Sequence, residues 1–153
     1  MDFTEYDTRL AAYAVVVDAG RILLALWNEE LPLKWTLPGG GVELDETPEE
    51  AAVREAREET GYEVALGRIL GLHSNVVPAE RRLRPSAKPR RDLRILFEAQ
   101  VTGGELRHET SGTTDEARWI PLAEVSSVPR VPHVDLALAL LAHAASTDDT
   151  PFP

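Results

Sequence analysis

The sequence predicts an α/β fold in which a mixed β-sheet is covered by helices on both faces. Three observations predict it. Apolar runs of strand length alternate irregularly with two helical segments, so the strands need not all run one way. One of those helices carries capping signals at both ends. Finally, 153 residues, 43% hydrophobic and 27% charged, suit one domain with one core, and no repeat or linker divides them.

Each element has its own reason. Ala11 to Val17 (AAYAVVV) reads as a buried strand and Arg21 to Trp27 (RILLALW) as its partner, with Asp18-Ala19-Gly20 turning between them. Asn28 to Lys34 is a loop, and Trp35 to Val42 is extended and punctuated by Pro38 and three glycines. Thr47 to Thr60 is the clearest helix: Thr47 caps it, Pro48 opens it, Glu50 completes a T-x-x-E box and Gly61 stops it. Tyr62 to Leu72 reads as a strand kinked at Gly67, and Asn75 to Arg91 as a long loop. Leu93 to Val101 is a strand turned by Thr102-Gly103-Gly104, and Glu109 to Glu116 is a polar loop. Ala117 to Ile120 is a short strand, Pro121 to Val125 a turn or short helix, and Pro132 to Ala145 a closing helix with Leu136, Leu140 and Leu141 on one side. The domain is expected over residues 1–145, with 146–153 a loose tail.

Charge and composition exclude several classes. The net charge is −10, which opposes general nucleic-acid binding. No apolar run approaches the length of a membrane span, and Met1 to Leu10 lacks the apolar core of a signal peptide. Cysteine is absent, which rules out disulfides and thiolate metal sites and fits a cytoplasmic location. The charge is unevenly spread. Glu43 to Glu63 holds nine acids and two arginines, whereas Glu80 to Arg94 holds seven bases and two acids. Such runs are either solvated faces or places for a dication and for phosphates.

The helix sharpens that choice. Glu55, Glu58 and Glu59, at i, i+3 and i+4, fall within an arc of roughly 100° and repel one another. Glu58 and Glu59 also sit near the C-terminus, where the helix dipole disfavours anions. Arg54 offsets part of this by pairing with Glu58. A divalent cation among the three carboxylates would relieve the rest, and oxygen-only ligands select Mg2+, with Mn2+ as its substitute. Ala52, Val53 and Ala56 are expected on the core side, with Ala51 beside the acids, leaving room for a phosphate. Gly39-Gly40-Gly41 is either a tight turn or a place where backbone approaches a ligand closely.

The segment Gly40 to Tyr62, GGVELDETPEEAAVREAREETGY, resembles the Nudix box: Gly, five residues, Glu, seven residues, then R-E-U-x-E-E-x-G-U, with U a bulky aliphatic residue. Gly40, Glu46, Arg54, Glu55, Glu58, Glu59 and Gly61 match, while Ala56 and Tyr62 depart at packing positions. Trp35 to Gly39 and Ala117 to Pro121 are similar to the family's flanking segments. The resemblance implies an α/β/α sandwich and a Mg2+-dependent hydrolase that cuts a nucleoside diphosphate linked to another moiety. It further implies that Glu55, Glu58 and Glu59 bind metal with the carbonyl of Gly39, that Arg54 orients a carboxylate and that Glu46 steadies the loop. Family members differ in which acid is the general base; by the resemblance the candidates here are Glu55, Glu58, or an acid of the downstream loop, Glu109, Asp115 or Glu116.

Substrate signals are thinner. Some subfamilies acting on ADP-ribose carry a proline about sixteen residues after the box, and Pro78 stands there. Arg81, Arg82 and Arg84, with Lys88, Arg90 and Arg91, either clamp distal phosphates or form a solvated loop. The tryptophans read as packing residues rather than base-stacking platforms. The four histidines lack metal-ligand spacing and are given no role. The expected partner is a small nucleotide, ADP-ribose-like or alternatively a modified nucleoside triphosphate. A non-catalytic nucleotide sensor is the third reading, and a homodimer is expected from the resemblance.

Overall fold

In the computed structural model, which describes residues 1–147, seven strands and two helices form the domain. The strands are β1 (Asp7–Asp18), β2 (Arg21–Trp27), β3 (Lys34–Thr36), β4 (Gly39–Gly41), β5 (Tyr62–Val77), β6 (Arg90–Gly104) and β7 (Thr114–Pro121). The helices are α1 (Pro48–Thr60) and α2 (Pro132–Thr147), and 3-10 turns span Ala79–Arg81 and Leu122–Ser127. The sheet runs β3-β2-β1-β6-β5, with β4 joined to β1 and β7 to β2. It is mixed: β1 is parallel to β6, with rungs from Asp7↔Arg90 to Val16↔Ala99, while its neighbours β2 and β4 are antiparallel to it.

Strand β1 sits at the centre, which is why its run is apolar on both faces. Ala11, Tyr13 and Val15 pack with Ile22, Leu24, Leu37, Leu96, Val134 and Ala137 on the α2 side. Ala12, Ala14 and Val16 face α1, where they meet the clusters containing Ala51, Ala52, Ala56 and Phe97. The expected three-layer arrangement is therefore present. The first hairpin turns through Ala19 and Gly20, both with positive φ (48° and 72°), matching the right-handed strand twist.

Helix α1 is built as its caps dictate. The Thr47 side chain accepts from the Glu50 amide, Glu50 accepts from the Thr47 amide, and Gly61 closes the helix in the left-handed region at φ 80°. Such a cap is worth about 1 kcal/mol.

Several expectations are corrected. Ala51, one turn before Glu55, is fully buried against Ala12 and Phe97 and so leaves no room for a phosphate. Its small side chain lets the helix lie close on the sheet. The three glycines form β4, not a turn, because β1 offers them a free edge. The Asn75–Arg91 loop is shorter than expected, since pairing of β5 with β6 continues to Val77↔Arg90 despite the charged residues. The same pairing keeps Gly103 and Gly104 within the ladder instead of a turn. Ser146 and Thr147 belong to α2, and the rest of the expected tail lies outside the described residues. Among the described residues no helix is long and apolar enough to cross a membrane.

Candidate active site

Helix α1 presents its acids towards β4. Glu59, only 2% exposed, accepts the Gly39 amide at 2.9 Å. Glu55 lies against Gly40 so closely that a Cβ there would stand 2.5 Å from its Oε1. Glu58, one turn outward, is nearly half exposed.

Arg54 ties this face together. Its Nε and Nη2 donate to Glu46 at 2.9 and 2.6 Å, Nη1 to Glu55 at 3.0 Å and to Glu58 at 3.3 Å, and Nη2 also to the Gly41 carbonyl at 3.2 Å. The pairing with Glu58 foreseen from spacing is present, but Glu46 is the principal partner. That bond holds the Glu46 carboxyl down at about 2, helped by a backbone amide.

The other acids behave oppositely. Burial raises the pKa of Glu55 despite Arg54 beside it, and Glu58 and Glu109 add to the rise. Burial likewise lifts Glu59 well above the usual range; the Gly39 amide opposes this, while Glu55, Glu109 and Glu58 reinforce it. Of the downstream acids, Glu109 is thus the one whose charge reaches the helix. It is held by the Thr114 amide at 3.2 Å and hydroxyl at 2.8 Å. Its loop is anchored where the Arg107 amide donates to the Thr60 carbonyl at 2.8 Å. Asp115 instead accepts from Asn28 at 2.6 Å, and Glu116 is paired with Arg118.

An oxygen-only set of this kind suits a hard dication. Among the described residues no three Asp, Glu or His side chains are gathered tightly enough to chelate one as they stand. Glu58 reaches to Arg54 and Glu59 to the Gly39 amide, so chelation by all three would require side-chain rotation.

Gly39 to Gly41, Glu55 and Glu59 form one wall of a cleft of about 590 Å3. Arg81 and Arg84 also line it, and neither has an ion-pair partner among the described residues. Arg82 lines it too, but its Nη1 is tied to Asp7 at 2.6 Å and the Lys88 carbonyl at 2.8 Å, stapling the loop to β1. Pro78 precedes the 3-10 turn and is not on the cleft wall. A second cavity of about 530 Å3 lies along Glu49, Val53, Arg57 and Gly67 and contains none of Glu55, Glu58 or Glu59.

Sequence reasoning missed the floor. Arg90, Asp92 and Arg94 alternate along β6 and so share one face, opposite Arg9 on β1 and Asn75 and His73 on β5. Asp92, 2% exposed, accepts from Arg90 at 2.6 Å and from Arg94 at 3.1 Å. The R-x-D-x-R alternation is the available signal, but a loop ending at Arg91 and a strand starting at Leu93 split it. His133 also lines the cleft, buried beside the Thr36 hydroxyl (3.2 Å) and the Tyr13 ring (4.9 Å between centroids). Burial, then Arg94, His73 and Arg9, lower its pKa to about 3. Trp27 packs against the core as expected and also lines the cleft, whereas Trp35 is buried under Arg118.

Residues 7–140 match the family model described as NUDIX domain. The chain is 34% identical over 109 residues to a Bacillus subtilis protein named as an 8-oxo-dGTP diphosphatase, covering 71% of this chain and 64% of that one. It is 31% identical over 119 residues to an ADP-ribose pyrophosphatase from Methanocaldococcus jannaschii, covering 76% and 62%. It therefore spans less than two thirds of the length of either relative. A NUDIX hydrolase structure from Nitrosomonas europaea shares the fold, with a TM-score of 0.75 at 20% identity over 96% of this chain and 98% of that one.

Proposed function

Because the chain belongs to the NUDIX domain family, we propose that it hydrolyses the diphosphate linkage of a nucleoside diphosphate derivative, with ADP-ribose the first substrate to test. The observation that carries this reading is the carboxylate field at the cleft wall. Glu55 and Glu59 lie against β4 in a cleft of nucleotide size, and each feels the charges of Glu58 and Glu109.

Family members generally use a divalent metal ion. Here Glu55, Glu58 and Glu59, with the backbone of Gly39, would hold it, and Mg2+ is the ion their oxygen donors favour, with Mn2+ able to replace it. When bound, the ion supplies charge neutralisation at the phosphoryl oxygens and lowers the proton affinity of water. Arg54, itself fixed by Glu46, pairs with Glu55 and Glu58 and would steer their carboxylates as they turn towards the ion. Glu109 is the acid best placed to take a proton from the attacking water, since Thr114 orients its carboxylate and its charge is felt at Glu55. Glu116, committed to Arg118, is the weaker candidate. Arg81 and Arg84, which line the same cleft, would meet the substrate's phosphates.

The test is a substrate panel with Mg2+ in which both products are identified. AMP and a ribose phosphate from ADP-ribose support the reading. Release of inorganic pyrophosphate from a nucleoside triphosphate supports the second reading, which the likeness to the 8-oxo-dGTP relative favours. No turnover with any member, under Mg2+ or Mn2+, refutes both.

A further inference from the structure

Arg9 occupies an unusual place. It is half-buried on the floor of the cleft, in register with Asp92, yet it has no ion-pair or side-chain hydrogen-bond partner among the described residues. Its guanidinium reaches to within 3.7 Å of where a Gly41 Cβ would stand, beside the strand that cradles Glu55. Asp92 is already shared by Arg90 and Arg94. Arg9 thus adds a third guanidinium to a floor whose one carboxylate is already shared by two, and the floor carries an excess of positive charge. His73 and His133 do not reduce it; both are pushed towards the neutral form by burial and by Arg94. The Arg94 Nε is buried without a partner, although Nη1 of the same side chain is held by Asn75 and His73. Partly buried cations in excess are costly unless an anion joins them, and fixed guanidinium forks suit a phosphate. The acidic wall cannot serve as that anion, because Glu55 takes its ion pair from Arg54.

We propose that Arg9 and Arg94, braced by Asp92 and Arg90, form a phosphate subsite for a phosphoryl group outside the scissile linkage. The substrate class is then a nucleotide that carries a phosphate in addition to those flanking the bond that breaks. ADP-ribose has none, so a nucleoside triphosphate or a diphosphate-linked sugar phosphate fits better. The assignment of substrate class rests on the hydrolase reading above; the subsite itself does not.

Two measurements separate them. In the first, inorganic phosphate is titrated calorimetrically into the full chain in EDTA. Arg9→Gln should weaken binding about tenfold or more, the worth of a charged hydrogen bond, whereas Arg57→Gln, which removes a cation outside this cleft, should leave it unchanged. Arg9 supports no other side chain and adds to an uncompensated positive charge, so the variant should melt no lower than wild type. Absence of phosphate binding in wild type, or equal binding in folded Arg9→Gln, overturns the subsite. In the second, kcat/KM is compared for ADP-ribose, a nucleoside triphosphate and a diphosphate-linked sugar phosphate. Wild type should favour one of the two phosphate-bearing compounds, which identifies the source, and Arg9→Gln should erase the preference while Arg9→Lys restores part of it. Equal loss on all three, or no preference in wild type, overturns the substrate class. Phosphate binding that depends on Arg9 without turnover of any compound leaves the subsite standing and refutes the hydrolase.

Discussion

Replacing His133 by Gln should remove a large part of the protein's sensitivity to mild acid. The His133 ring is 5% exposed and its pKa lies near 3, against an ordinary value of 6.5 in the unfolded chain. Below the ordinary value the unfolded state binds a proton that the folded state refuses, so stability falls as the pH drops through that range. Between about pH 7.5 and about pH 5 this one residue costs about 2 kcal/mol, from the ratio of unfolded-state protonation at the two ends. Gln retains a group that can meet the Thr36 hydroxyl and cannot take up the proton. The assay is urea unfolding of both proteins at the two pH values. Other groups titrate too: Glu55 and Glu59, with raised pKa, stabilise the fold on acidification, opposite in sign, while Glu46 and Asp7, with lowered pKa, act only at lower pH. These are common to both proteins, so the difference between them isolates the histidine. Wild type should lose about 2 kcal/mol more than the variant. Parallel pH dependence in the two proteins refutes the assignment of a buried, neutral imidazole.

Other perturbations bear on the site directly. Glu58→Gln keeps the helix and should lower kcat by two or more orders of magnitude, roughly the cost of losing one charge-stabilising group; near-normal turnover contradicts its place among the ligands. Gly40→Ala should melt like wild type yet lose most activity, because the new methyl displaces only the flexible end of Glu55. Gly39→Ala should lower the melting temperature instead, since its Cβ would stand 2.3 Å from the Ala12 carbonyl on β1; a fully stable Gly39→Ala contradicts the β1–β4 pairing. EDTA should abolish turnover, and Mg2+ or Mn2+ should restore it; rescue by Zn2+ alone contradicts an oxygen-donor site.

What was legible in the sequence was whatever local chemistry specifies. Thr47, Pro48, Glu50 and Gly61 mark the ends of α1 without help from the rest of the fold, and the spacing of Arg54, Glu55, Glu58 and Glu59 follows from helical geometry once the ends are known. Ala51 was misplaced because its helix position lies between the acidic and core faces, and only the close approach of the sheet decides between them. The end of β5 and the start of β6 were missed because His73, Asn75, Arg90 and Asp92 look like loop chemistry. They are strand residues whose polar face lines a cleft, so alternation was present but both pattern and composition had to be read together. The convergence of Arg9 on that floor depends on parallel pairing across most of the chain, which no local signal contains. The same is true of Glu109, whose closeness to Glu55 comes from the segment that crosses the end of α1.

That pairing also orders events during synthesis. Every rung between the first strand and residues 90–99 joins partners separated by more than half the chain. A nascent polypeptide can complete the β1–β2 hairpin and form the capped helix early, from contacts close in sequence. The central ladder must wait until β6 has left the ribosome, and until then β1 has an open edge and two apolar faces with little to cover them. Chains cut before residue 90 should therefore aggregate rather than persist as folded fragments.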